Sequence, residues 1–340
     1  MGWERVTADE IVAGGMDASV VQPLIGPTET SGTGRTDYEL VMVTYRSRRQ
    51  LVGFLEHLGG DVPMVIVDNS GNSDGIRDEI KARPHIRYID GGGVGFARAA
   101  NLGARSSERD VVVFVNPDGR PRIADLETLV ADVTTDPLLA ASAATPVDTR
   151  GQTEIGVGGW DPAPLRAVVH AVGLHKVFPN AGLYARPRPH EDVHLDWTTG
   201  ACMAVRRELF STLGGFDESF YVYNEDMAFG RTARLAGLHS RLRTDVPVLH
   251  SAGGSGAPNK EMLRLRGASM AMYTRRQLKP VPAALVCGAL MTGALARAGV
   301  AAVLRDKPRA QGQWNYVLGV FTRDATVGGK RIYRSGIRVD

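Results

Sequence analysis

Residues 64–75 read Met-Val-Ile-Val-Asp-Asn-Ser-Gly-Asn-Ser-Asp-Gly, four apolar residues running straight into a polar, glycine-bearing turn. A short unbroken apolar run bounded by turn formers marks a strand buried on both faces. The flanking sequence repeats this design. Upstream, Tyr38–Tyr45 (YELVMVTY) is a second such run, and apolar residues at helical spacing across 50–58 predict a helix between the two. Downstream, Ile86–Ile89 is a short third strand leading into Gly91–Gly95. Residues 96–106 read as a helix, and Val111–Val115 (VVVFV) as a fourth strand stopped by Asn116-Pro117-Asp118. Strands alternating with helices predict an α/β fold, Rossmann-like, with a mostly parallel central sheet covered by helices on both faces.

In such sheets ligands bind beyond the carboxyl ends of the strands. Polar or glycine-rich clusters stand at those ends: Thr44, Asp68-Asn69-Ser70, Gly91–Gly95 and Asn116-Pro117-Asp118. Each is also an ordinary turn sequence. Their succession is what points to a site. Asp118, on the rim after a strongly apolar strand, offers a hard oxygen ligand suited to Mg²⁺ or Mn²⁺. Asp68 could accept the imide N–H of a uracil or thymine ring, with Thr44 and Tyr45 beside it. Arg98 and Asn101 lie three apart on the following helix and share a face.

From Pro146 to His194 the pattern dissolves into Gly, Pro, His and Arg, too long a stretch for an ordinary connection. Order returns over 196–206, with a helix from Arg207 to Leu213. Asn224-Glu225-Asp226 then opens a helix reaching Leu235, and a strand ends near His250. Adjacent carboxylates at a helix start serve as cap and dipole partners, or place one of the two at a pocket mouth as a general base. Arg231 and Arg234 follow on that helix as partners for a carboxylate or a diphosphate. His250 is a metal-ligand candidate with Asp118, and Ser251–Gly256 a candidate lid. The expected organisation is an N-terminal extension over 1–36, a catalytic domain over 37–257 and a C-terminal helical region over 258–340.

Composition narrows the classes. The 340 residues are 43% hydrophobic and 23% charged, enough to build a soluble core. The net charge of +3 gives no argument for nucleic acid as a partner. Two cysteines, Cys202 and Cys287, exclude a disulfide framework and suit a reducing, cytoplasmic setting. The first residues carry acidic side chains and no apolar run, so no secretory signal is expected there. Val281–Ala296 is apolar and uncharged but shorter than the ~20 residues of a spanning helix. It reads either as a buried helix or as one lying in a membrane interface. The absence of G-x-G-x-x-G after the first strand argues against a dinucleotide-dependent oxidoreductase.

Taken in order, VMVTY at 41–45, VIVDNSGNSDG at 65–75, GGVGFARAANLGA at 92–104, FVNPDG at 114–119, the stretch 199–237 and VLHSAGGS at 248–255 resemble glycosyltransferase family 2 with the GT-A fold. The likeness is to its rhamnosyltransferase-like members, and it spans roughly residues 38–256. It implies a nucleotide-sugar-dependent, inverting transferase. Thr44 and Asp68 would hold the nucleoside, Asp118 the metal diphosphate with His250 completing the metal site, and Asp226 would act as base. Tyr45, Gly95, Arg98, Asn101 and Asn116 complete the expected donor set, with Trp197, Thr199, Gly200 and Glu225 on the acceptor side. Many relatives carry Asp-X-Asp where this chain has Asn116-Pro117-Asp118, so the first carboxylate of the metal motif is missing. That form resembles the rhamnosyltransferase-like subgroup and favours dTDP-rhamnose. The other donors in play are UDP-galactofuranose, UDP-glucose and UDP-N-acetylglucosamine. The rival class is a nucleotide-sugar-binding protein without turnover. Expected partners are Mn²⁺ or Mg²⁺ and a glycan or polyprenyl-linked acceptor of cell-wall or polysaccharide assembly. A peripheral contact at the inner face of the plasma membrane is also expected, through residues 281–296 flanked by Arg275, Arg276, Lys279, Arg297 and Arg305.

Overall fold

The structure, a computed structural model, describes residues 37–191, 193, 195–250 and 259–322. The extension over 1–36 and the Gly/Ser segment at 251–256 lie outside the described residues.

The expected βα alternation is present. β1 (Tyr38–Thr44), α1 (Arg48–Leu58), β2 (Met64–Asp68), α2 (Ile76–Ile80), β3 (Ile86–Asp90), α3 (Phe96–Ser106) and β4 (Val111–Val115) follow in order. They continue with β5 (Gly119–Arg120), α4 (Ile123–Thr135), β6 (Leu139–Val147), β7 (Gly158–Gly159), α5 (Pro164–Ala171), β8 (Trp197–Thr198) and β9 (Cys202–Arg206). Then come α6 (Arg207–Thr212), α7 (Glu225–Leu235), β10 (His239–His250), α8 (Asn259–Gln277), α9 (Pro280–Val303) and α10 (Lys307–Val320).

Eight strands form one sheet in the order β3-β2-β1-β4-β9-β6-β10-β5. The half built from β1 to β4 is parallel throughout. β9 runs antiparallel to both β4 and β6, and β5 runs antiparallel to β10. An apolar strand buried on both faces has no sequence mark of direction, so that half of the topology was invisible to pattern. Side chains alternate across the sheet, as a period of two requires. Leu40, Met42 and Ile66 pack with Leu51 and Phe54 of α1 on one face. Val41, Val65 and Phe114 pack with α3 and with Phe210 and Phe216 on the other. α3 lies flat on that face because Gly103 lacks a side chain; a Cβ there would stand 2.5 Å from a Val41 methyl.

Two stretches differ from the sequence reading. Residues 146–194 carry β7, which pairs with β8, and α5, opened by Pro164. Only two turns long, α5 was hidden among prolines and glycines. The apolar helix α9 runs the 24 residues Pro280–Val303 rather than 281–296, because a single Arg297 ends an apolar run without ending a helix. It is, among the described residues, one helix long and apolar enough to cross a membrane. A third cluster, including Trp197, Phe220, Met227, Met270, Tyr273 and Leu290, ties α8 and α9 to the start of α7.

Candidate active site

α7 begins directly after two left-handed residues, Tyr223 at φ 70° and Asn224 at φ 68°. Neither is glycine, and such backbone costs on the order of 1 kcal/mol or more per residue unless its surroundings hold it. The consequence is that Glu225 enters the first helical turn buried and Asp226 half-buried. Asp226 is fixed by two backbone donors, the Met227 N–H at 2.8 Å and the Gly200 N–H. Burial still dominates: it pushes the Asp226 carboxyl up to about 6, the two N–H groups and the Arg266 charge pulling the other way. Burial raises Glu225 well above the carboxylate range, with the neighbouring Asp226 charge adding to it. Glu225 Oε2 meets no hydrogen-bond donor among the described residues. A carboxylate held in place with a pKa near neutrality is suited to accept a proton.

Asp226 lines a cavity of about 250 Å³ together with Asn116, Trp197, Thr199, Gly200 and His250. The acceptor-side residues expected from sequence are therefore brought to the base; Glu225 also lines the cavity. A larger cavity of about 560 Å³ is lined by Arg120, Arg122, Asp125, Arg188, His190 and Asp245, among others. Its two carboxylates are taken, Asp125 by Arg122 and Asp245 by Arg243. Neither carboxylate is left free there, whereas the smaller cavity holds the Glu225–Asp226 pair and His250, so the smaller cavity is the candidate site.

His250 ends β10 at the rim of that cavity. Its Nε2 lies 3.2 Å from Asp118 Oδ1 and 3.2 Å from the Asn116 amide nitrogen. Its Nδ1 lies 3.0 Å from Glu154 Oε2. Burial opposes charge on this ring, but the hydrogen bonds and charges of Asp118 and Glu154 outweigh it and lift His250 to about 10. Asp118 and His250 thus converge as the sequence predicted. Glu154 sits on the other ring nitrogen, where it orients the imidazole rather than joining a metal's ligand set. Among the described residues no three His, Cys, Asp or Glu side chains converge as a metal cage. Once a cation displaces the proton held between His250 and Asp118, the two donors, a hard oxygen and an imidazole nitrogen, fit a divalent cation that takes its remaining ligands from a substrate diphosphate.

The donor set expected around β1 and β2 is organised differently. Asp68 is fully buried and both its oxygens are engaged. Oδ1 accepts from the Thr44 hydroxyl at 3.3 Å and from the Ser70 N–H and hydroxyl at 2.9 and 2.8 Å. Oδ2 accepts from the Asn72 N–H at 2.6 Å and the Tyr88 hydroxyl at 3.0 Å. Thr44 and Asp68 therefore shape the turn itself, and Tyr45 stands half-buried beside it. Gly95 accepts from the Asn69 side chain at 3.0 Å and, at φ 92°, brings the start of α3 against Tyr221. A Cβ there would lie 2.4 Å from the Tyr221 carbonyl oxygen. Arg98 and Asn101 do share a face of α3, but that face meets the 215–218 segment. Arg98 pairs with Glu218 at 2.9 Å. Asn101, buried, exchanges hydrogen bonds with the Phe216 backbone at 2.8 and 2.9 Å. Arg231 and Arg234 both bind Asp161, the first at 2.5 Å, and Tyr273 donates to the same carboxylate at 2.6 Å.

Three residues of the cavity escaped sequence reasoning. Glu154 and Tyr184 lie in the patternless 146–194 stretch. Arg266 comes from α8 and places its guanidinium 4.6 Å from the Tyr223 ring centroid. None has a local signature: Glu154 meets His250 and Arg266 meets Tyr223, each across more than forty residues, and Tyr184 stands edge-on to Trp197 across an irregular stretch.

The family model described as glycosyl transferase family 2 matches residues 40–214. The chain belongs to that family and is a nucleotide-sugar glycosyltransferase. It is 28% identical over 233 residues to the N-acetylglucosaminyl-diphospho-decaprenol L-rhamnosyltransferase of Mycobacterium tuberculosis, covering 62% of this chain and 75% of that protein. It is 25% identical over 226 residues to a low-salt glycan biosynthesis hexosyltransferase of Haloferax volcanii, covering 63% and 67%. Among solved structures it is similar to the mannosyltransferase PcManGT of Pyrobaculum calidifontis in complex with GDP-Man and Mn²⁺. That match has a TM-score of 0.52 and 16% identity over 90% of this chain and 93% of that one, a likeness of fold. The chain spans 57% of the length of GalNAc-T7, which it matches at a TM-score of 0.48 and 14% identity over 79% of its own residues.

Proposed function

We propose that this chain is an inverting transferase that moves a hexose, L-rhamnose from dTDP-rhamnose as the preferred donor, onto a hydroxyl of a polyprenyl-diphosphate-linked glycan in cell-wall or polysaccharide assembly. One observation carries the reading: a half-buried carboxylate raised to about 6 and His250, itself paired with Asp118, line the same cavity. Asp226 takes the proton of the acceptor hydroxyl as its oxygen attacks the anomeric carbon. The bond to the nucleoside diphosphate breaks on the opposite face, inverting the centre. Asp118 and His250 would hold Mn²⁺ or Mg²⁺, which when bound neutralises the leaving diphosphate as a Lewis acid. Asn116 lies against His250 beside that group.

The Asp68–Ser70 turn would frame the pyrimidine, with Thr44 and Asp68 rigidifying the frame and Tyr45 and Gly95 at its edges. Arg98 and Asn101 act through the 215–218 segment rather than on the donor. Trp197, Thr199 and Gly200 line the acceptor side. Arg266, a cation near the base, suits a phosphate-bearing acceptor, in keeping with the diphospho-decaprenol in the name of the mycobacterial relative. The domain division at 37–257 and an inner-membrane-face location belong to the same proposal.

A panel of dTDP- and UDP-sugars with Mn²⁺, scored by nucleoside-diphosphate release, tests it. Turnover with dTDP-rhamnose supports the donor assignment, and turnover with UDP-sugars alone overturns it. Binding without turnover for every donor and acceptor returns the chain to the rival class of non-catalytic binder. An Arg266→Gln variant should raise KM for a diphosphate-bearing acceptor several-fold and leave the donor KM unchanged.

A further inference from the structure

Of nineteen large hydrophobic side chains that are exposed among the described residues, fifteen fall within 165–178 and 281–321. They are not scattered. On α5 and its C-cap the exposed positions are Leu165, Val168 and Val172, an i, i+3, i+7 stripe, while Ala167 points into the protein. Just beyond α5, Val177 and Phe178 are exposed as well. On α9 the exposed stripe runs through Val281, Leu285, Leu295, Val300 and Val303, and the opposite face, through Ala283, Val286, Leu290 and Ala294, is buried. Leu165 is 76% exposed and Val303 82%, values that a soluble surface of this size does not ordinarily concentrate in two neighbouring helices. The helices touch: a Cβ on Gly293 of α9 would lie 2.8 Å from the Ala171 Cα at the end of α5.

The charge on these segments has one sign. Residues 162–190 hold four Arg or Lys and no Asp or Glu, and residues 262–305 hold seven and none. Lys176, Lys279 and Arg305 are exposed at the ends of the apolar stripes. Exposed apolar stripes edged mainly by cations, Asp306 beside Arg305 being an exposed acid at one end, match an anionic lipid surface, into which the side chains insert while the cations meet headgroups. α9 is long enough to span, but its other face is occupied by α5, α8 and α10. Its place is along the surface.

We infer that α5 and α9 together form a monotopic platform that seats the enzyme on an anionic membrane. The surface extends the reading of a lipid-linked acceptor, because Tyr184 stands edge-on to His170 of α5 at 5.3 Å and itself lines the cavity. One side chain therefore separates the platform from the site. The stripe on α9 was within reach of sequence. The one on α5 was not, and it is the part that breaks or makes the inference.

The test is co-sedimentation of the full chain with phosphatidylcholine vesicles and with mixed phosphatidylcholine–phosphatidylglycerol vesicles, with neither donor nor acceptor present, so that its outcome is separate from that of the transferase reading. Binding should require the anionic lipid and fall as salt rises. Leu165→Asn with Val172→Asn, and separately Val281→Asn with Leu285→Asn, should each weaken it by about a hundredfold or more, the loss expected from removing two aliphatic side chains that the membrane would bury. Leu138→Asn, at an exposed leucine elsewhere, should bind as the parent does. Circular dichroism confirms that each variant is folded. No binding by the parent, or undiminished binding by the α5 pair, overturns the inference. So does a stable dimer in solution that the α5 pair dissociates, since the face would then be covered by a second copy. Retention of the parent on vesicles through alkaline carbonate overturns the surface-lying placement.

Discussion

Asp68 is a fully buried carboxylate at the end of a strand and Asp226 a half-buried one at the start of a helix, and they are built for opposite purposes. Asp68 is surrounded by five donors from four residues, so its charge is fully used in holding the turn after β2. Asp226 has two backbone donors and a partly unsatisfied neighbour in Glu225, so its charge is expensive and available. The lesson is that burial alone does not mark a base. What distinguishes them is how much of the desolvation cost the surroundings have already offset.

The largest break in this comparison is expected from Asp226→Asn. Transfer should fall by about a thousandfold, about 4 kcal/mol of barrier, with donor binding and melting temperature held. Steady-state rates and calorimetric donor titration check it, and undiminished transfer removes Asp226 as the base. The converse applies to Asp68→Ala, which strands several donors inside the protein. Its effect should be mainly on stability, about 3 kcal/mol in a denaturant titration. A variant that kept its stability but lost catalysis would make Asp68 a chemical rather than a framing residue. Gly95→Ala, pressed against the Tyr221 carbonyl in left-handed backbone, should cost about 2 kcal/mol.

Smaller and sharper tests use pH. A base whose carboxyl sits at about 6 must be ionised to act, so kcat should decline as pH drops through about 6 and hold above it. Glu225, raised by burial, favours the protonated state in the fold. Its contribution to stability is present below the ordinary carboxylate range and lost as pH rises through its elevated value. Glu225→Gln should therefore stabilise the protein at pH 8, on the order of 1 kcal/mol, and leave it unchanged at pH 4. Equal stabilisation at both pH values would sink that account.

Much of this comparison was legible in the sequence, but unevenly. Asp226, Asp118 and His250 were each found from strand ends and a helix start; in the structure Asp226 and His250 line one cavity and Asp118 pairs with His250. Asp68 was placed correctly at the end of β2, whereas the five donors around it were not foreseen. Arg98 and Asn101 were correctly put on one face of α3, yet which neighbour that face meets depends on the 215–218 segment. Glu154 and Arg266 were missed because each serves the cavity through a partner remote in sequence, and Tyr184 because it lies in a stretch without periodicity.

By itself the sequence determined the βα alternation, the parallel half of the sheet, the positions of the polar strand ends and the helix that begins with the two carboxylates. These depend on periodicity and turn chemistry, which act over a few residues. Only the tertiary structure decided the antiparallel entry of β9, the orientation of His250 between Asp118 and Glu154, the unequal solvation of Asp68 and Asp226, and the two exposed stripes of α5 and α9. Each of those depends on which distant segments share a surface, and burial, hydrogen-bond partners and exposure exist only once the chain has closed on itself.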